Sequence, residues 1–173
     1  MLALRATAKV LRFLPPPQGV TAPSDGALGD WYANRLVVDR QPLLLLLSST
    51  SLLAILLPAR DLRTLPDRLP SMVGARLKRL GVPQQVIDAE LATMNPVMVA
   101  KTGSLSVNGT MVNFTRELPY HLPINGWDES SLPFVELRLG ETPCRRPGDK
   151  RSNYDALWPA RDAARMLMER WGV

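Results

Sequence analysis

Residues 43–57 read LLLLLSSTSLLAILL, and the reading of this stretch decides the fold. A membrane-spanning helix needs about 20 consecutive apolar residues. Here five leucines are followed by four hydroxyl residues, Ser48 to Ser51, before the apolar character resumes. Two short apolar runs around a polar turn match a β-hairpin or two adjacent buried strands, over residues 35–47 and 52–57.

Toward the N-terminus, residues 2–6 suit a first strand. Thr7 can cap a short helix carrying Val10, Leu11 and Leu14, which Pro15, Pro16 and Pro17 end. The Pro- and Gly-rich stretch 15–29 cannot hold a regular element and is expected to be a flexible loop. Toward the C-terminus, Leu62, Leu65, Leu69, Val73, Leu77 and Leu80 recur at helical spacing, with Pro66 and Pro70 breaking the start and Gly81 stopping the end. A second helix starts at Pro83, carries Val86, Ile87, Leu91 and Met94 inward and stops at Asn95-Pro96, after which 96–100 reads as a strand. A third helix is expected from about Thr110, with Met111, Phe114 and Leu118 inside. Residues 134–139 alternate and read as a half-solvated strand with Val135, Leu137 and Leu139 on one face. A last helix runs from Pro159 to Trp171. The expected class is therefore α+β, a mixed, mostly antiparallel sheet with an early β-hairpin, covered by about four helices. One domain over 1–173 would carry the flexible loop at 15–29 and a basic loop at 144–152.

Composition narrows the chemistry. The 173 residues are 46% hydrophobic, enough for one domain with a sizeable core. Twenty-one Lys and Arg against 16 Asp and Glu leave a mild excess of +5, which leans toward nucleic acid or an acidic partner. Cys144 is the single cysteine and cannot form an internal disulfide, so a reducing cytoplasm is the expected setting. His121 is the single histidine, so no Cys/His cluster can be assembled, and neither a metal site nor a cofactor is expected. A Ser-His-Asp triad could use only His121, and a Cys-His pair only Cys144 with His121. The start, MLALRATAKVLRFLPPP, interleaves basic with apolar residues and offers no small-residue cleavage site, so it does not read as a signal peptide, and no membrane partner is expected. Neither G-x-G-x-x-G nor G-K-[ST] occurs.

Three places concentrate chemistry. In KTGSLSVNGTMVNF, 101–114, a lysine and several hydroxyls precede a helix start near Gly109. Backbone N–H groups at a helix start attract anions, so Lys101, Ser104, Ser106 and Asn113 are candidates for a phosphate or a nucleic-acid backbone. The plainer reading is that the hydroxyls cap the helix. In CRRPGDKR, 144–151, the cations Arg145, Arg146, Lys150 and Arg151 could grip phosphates with salt-sensitive affinity, or form a solvated surface loop. Trp31 and Tyr32 could stack on bases, or pack into the core.

The segments GDWYAN at 29–34, LPARDL at 57–62, KTGSLSVNGTM at 101–111 and ETPC at 141–144 together resemble a bacterial family of uncharacterised domains. The resemblance implies a bacterial, cytoplasmic, single-domain protein and supplies no mechanism or catalytic residues. The expected function is a non-enzymatic binding or regulatory module that engages a protein partner, antitoxin-like in context, with nucleic-acid contact through the basic loop and the polar segment 101–114. The alternative is an enzyme acting on a phosphate-bearing substrate such as RNA or a nucleotide, with Lys101, Ser106 and Asn113 on the anion and Glu117 working nearby. A homodimer through the exposed face of the leucine-rich hairpin is a third expectation.

Overall fold

The computed structural model describes residues 1–20 and 22–172. A single five-stranded sheet, in the order β4-β3-β2-β1-β5, forms the middle layer. Its strands are β1 (Leu2–Ala6), β2 (Trp31–Val38), β3 (Gln41–Ser48), β4 (Ala54–Pro58) and β5 (Val97–Lys101). β1 runs parallel to β2 and β5, whereas β2-β3 and β3-β4 are antiparallel, so the sheet is mixed and mostly antiparallel. The helices are α1 (Ala8–Leu11), α2 (Leu65–Arg79), α3 (Gln84–Ala92), α4 (Leu105–His121), α5 (Leu132–Gly140) and α6 (Pro159–Trp171).

Two apolar cores form, one on each face. Leu4, Trp31, Ala33, Leu44, Leu46 and Ile55 pack with α1, α2, α3 and α6. Tyr32, Leu36, Leu43, Leu45, Leu47 and Leu56 pack with α4 and α5. This explains why β3 is an unbroken run of leucine: a strand covered on both sides has no solvent face to alternate toward. Each of these leucines contributes about 1.5–3 kcal/mol on full burial.

Three expectations are corrected. The stretch 35–47 is two strands, because Asp39 and Arg40 both take positive φ (52° and 65°) and turn the chain back in a two-residue hairpin. With β4, the early hairpin is thus a three-stranded meander. Residues 134–139 form no strand but the middle of α5. Its buried positions are Leu132, Val135, Glu136, Leu139 and Gly140, a helical repeat, while Phe134 and Leu137 point outward. The alternation was misleading because an acid, Glu136, occupies a core position. α4 starts at Leu105, not near Gly109, since Val107, Met111, Phe114 and Leu118 form one continuous buried stripe. With the short α1 and with α5, the described residues hold six helices.

Glu136 also closes the sheet. Its Oε2 accepts the Leu56 N–H at 3.0 Å, and the Arg76 Nε–H donates to Ala54 O at 3.0 Å, so the outer edge of β4 is satisfied by side chains of α5 and α2. Arg79 completes the cluster, 2.8 Å from Glu136 Oε1. Burial lowers the Arg76 pKa from its ordinary value, with Glu136 opposing and Arg79 adding to the shift. Leu43 to Leu47 are at most 1% exposed. The leucine hairpin therefore offers neither a free face nor a free outer edge to a second copy.

On the opposite side of the sheet, buried Glu90 of α3 accepts N–H groups from Ala27 and Leu28 and the indole N–H of Trp171, tying the loop before β2 to α6. No helix among the described residues is long and apolar enough to cross a membrane.

Candidate functional site

The polar segment and the basic loop, separate in sequence, meet in space. α4 presents Ser106, Thr110, Asn113 and Glu117 along one flank, and Ser106 Oγ accepts the Gly148 N–H at 3.2 Å. The basic loop is pinched at its neck, where Cys144 and Leu157 exchange two backbone hydrogen bonds of 2.8 Å.

Most candidate groups have structural duties. Ser104 is the N-cap of α4: its Oγ accepts the Val107 N–H at 3.2 Å and its own N–H donates to Tyr32 Oη at 3.0 Å. Trp31 is fully buried and Tyr32 nearly so, packed in opposite cores, so neither is presented for stacking on bases. That expectation is withdrawn. Arg151 chelates Asp149, with Nη2 to Oδ2 at 2.7 Å. The Arg151 hydrogen bonds are the main reason the Asp149 carboxyl is held down at about 2. Arg145 lies over the Tyr154 ring, 4.0 Å from its centroid, and donates to the Arg151 carbonyl. Arg146 is half-buried, and Lys150 and Lys101 are exposed. Asn113 is also exposed.

The set invoked for phosphate chemistry does not converge. Ser106 and Glu117 are eleven positions apart on one helix, about 16 Å along its axis. Burial, with Glu117 adding, pushes the Cys144 thiol up to about 11, so it stays protonated and is a poor nucleophile at neutral pH. Among the described residues no group of three or more His, Cys, Asp or Glu side chains is placed to hold a metal ion.

The sequence reading missed the exposed apolar surface. Leu105 and Tyr120 are each 88% exposed and, with the half-exposed Val112, fall in one stripe on the outer face of α4. Ile124 in the following connection and Phe134 and Leu137 on α5 extend the exposed apolar surface of this layer. Six of the ten large exposed hydrophobics among the described residues thus lie between residues 105 and 137. Helical periodicity across 132–140 would have placed Phe134 and Leu137 outside. The exposed aromatics paired with cations are also new: Arg138 over Phe134, Arg145 over Tyr154 and Arg161 over Trp158.

A family model described as "Domain of unknown function (DUF6933)" matches residues 3–161. No curated protein and no solved structure matches the chain.

Proposed function

The chain belongs to the DUF6933 family, and we propose that it is a non-enzymatic binding module that engages a partner protein through its α4–α5 layer. The observation that supports this reading is the apolar surface of that layer, with Leu105, Val112 and Tyr120 aligned on α4 and Phe134 and Leu137 on α5. Contiguous exposed apolar surface marks interaction sites, and central aromatics carry most of the binding energy at such sites. The basic loop next to α4 would form the polar rim of the interface and supply any contact with nucleic acid. Its reach for phosphate is reduced because Arg145 and Arg151 already have partners inside the loop. The cytoplasmic setting and a regulatory, antitoxin-like role belong to the same proposal; the lone cysteine is compatible with a reducing compartment.

The test is affinity capture from bacterial lysate with nuclease present, using the wild-type chain and a Leu105→Ser/Tyr120→Ser double variant side by side. A stoichiometric protein retained by the first and lost by the second is the expected result. Equal capture by both, or recovery of nucleic acid alone in a matched capture without nuclease, overturns the reading. Against the enzyme alternative stands the spacing of Ser106 and Glu117, eleven positions apart along α4.

A further inference from the structure

The geometry points to a binding site for a small phosphate ester in the cleft at the carboxyl ends of β1 and β5. These neighbouring strands run parallel, with Ala6 opposite Lys101. The chain leaves them in opposite directions: β1 leads into α1, on the face packed by α2 and α3, and β5 leads into α4 on the other face. A divergence of this kind opens a crevice beyond the strand ends, and in open sheets with parallel strands such crevices are where ligands sit.

A cleft of about 350 Å³ lies there, between the strand ends and the Pro/Gly-rich loop, lined by Arg5, Gln18, Gly19, Ala100, Lys101 and Thr102 among others. The volume falls at the lower end of the range for small-molecule sites, which suits a metabolite and not a polymer.

The lining is chemically suited to an anion. Arg5 is fixed by three hydrogen bonds, from Nε to Asp30 Oδ2 at 2.6 Å, from Nη1 to Lys101 O at 3.0 Å and from Nη2 to Val20 O at 3.5 Å. That leaves two of its five N–H donors without a protein partner among the described residues. Lys101 is exposed and has no ion-pair partner among the described residues. Asp30 neutralises one of the two cations, so the cleft keeps one net positive charge beside the Thr102 hydroxyl and the Gln18 amide. The loop wall is anchored, since the Gln18 N–H donates to Val99 O at 2.8 Å on the outer edge of β5. The combination of a fixed guanidinium, a mobile ammonium and neutral donors is how proteins hold a phosphate monoester.

This site uses none of the apolar side chains of the α4 stripe and does not rest on the partner-binding reading. Its test is an NMR titration of the full chain with inorganic phosphate and with adenosine 5′-monophosphate. Saturable shifts of the Gln18, Gly19, Lys101 and Thr102 amides are expected. Lys101→Ala, which removes only an exposed side chain, should weaken binding about tenfold, as the loss of one charge-assisted hydrogen bond does. Lys150→Ala in the basic loop should leave the affinity unchanged. The inference is overturned by the absence of saturation at roughly 10 mM, well above a millimolar dissociation constant. It is equally overturned by unchanged affinity in Lys101→Ala, or by shifts centred on residues 145–151 that Lys150→Ala abolishes.

Discussion

The two helical layers bury comparable cores and treat solvent differently. The α2–α3–α6 layer presents Asp67, Lys78, Asp88, Arg161, Arg165 and Glu169 to water, and Met168 is its one large exposed hydrophobic among the described residues. The α4–α5 layer exposes Leu105, Val112, Tyr120, Phe134 and Leu137. Both inner faces are specified by the sheet, which needs covering on each side. The outer faces are not, so the difference between them reports on what lies beyond this chain. A surface charged all round needs only water, whereas a helix apolar both inside and outside makes sense when a second surface meets it.

The largest effect should come from the inner side of the exposed layer. Glu136→Ala would leave the Arg76 guanidinium buried without its carboxylate and the Leu56 N–H without an acceptor, so thermal and urea unfolding should report a loss of about 3–5 kcal/mol. A loss below 1 kcal/mol would mean that α5 is loosely attached, and that its outer apolar residues reflect poor packing and not an interface.

A smaller effect is expected in the charged layer. Asp162 lies in the first turn of α6, with Oδ2 accepting the Trp158 N–H at 2.7 Å and Oδ1 accepting Arg165 Nε–H at 3.1 Å. Burial raises its carboxyl, but the Trp158 and Arg165 hydrogen bonds and the charge of Arg146 outweigh that and hold it below the ordinary carboxylate value. A lowered native value stabilises the fold above the unfolded pKa, and the stabilisation disappears as pH falls through the native one. Asp162→Asn should cost about 1–2 kcal/mol at neutral pH. The gap to wild type should narrow below about pH 3.9 in urea melts taken from pH 7 to pH 2. A gap independent of pH would show that the Asp162 charge contributes nothing beyond the shape of its hydrogen bonds.

The smallest effect sharpens the contrast most. Leu105→Ser/Tyr120→Ser should change stability by less than about 0.5 kcal/mol, because both side chains face water. A larger loss would show that the stripe belongs to the fold, and the surface would no longer need a partner.

The class and most elements were legible because burial periodicity is written directly into α2, α3 and α6 and because a leucine run bounded by hydroxyls has few other solutions. What escaped reading was local polarity serving tertiary ends. Asp39-Arg40 turns the chain with positive φ where Asn-Gly or Asp-Gly is the usual signal. Glu136 sits in the core because two arginines and a strand edge receive it, and neither partner is near it in sequence. The Ser, Asn, Gly and Thr of 102–110 have the composition of a loop, yet four buried apolar positions hold the later part of them in a helix. For the sites, Lys101 stood out beside its hydroxyl-rich segment but Arg5 gave no sequence signal, since the two become neighbours only when β1 and β5 pair across 96 positions.

The side-chain seal on β4 sets an order on synthesis. Leu56 receives its partner Glu136 from 80 positions downstream, and at a translation rate of about 5–20 residues per second that interval lasts roughly 4–16 s. Through that time the Leu56 N–H on the outer edge of β4 has no partner, and an unpaired strand edge on a nascent chain is a target for mispairing and for a holding chaperone.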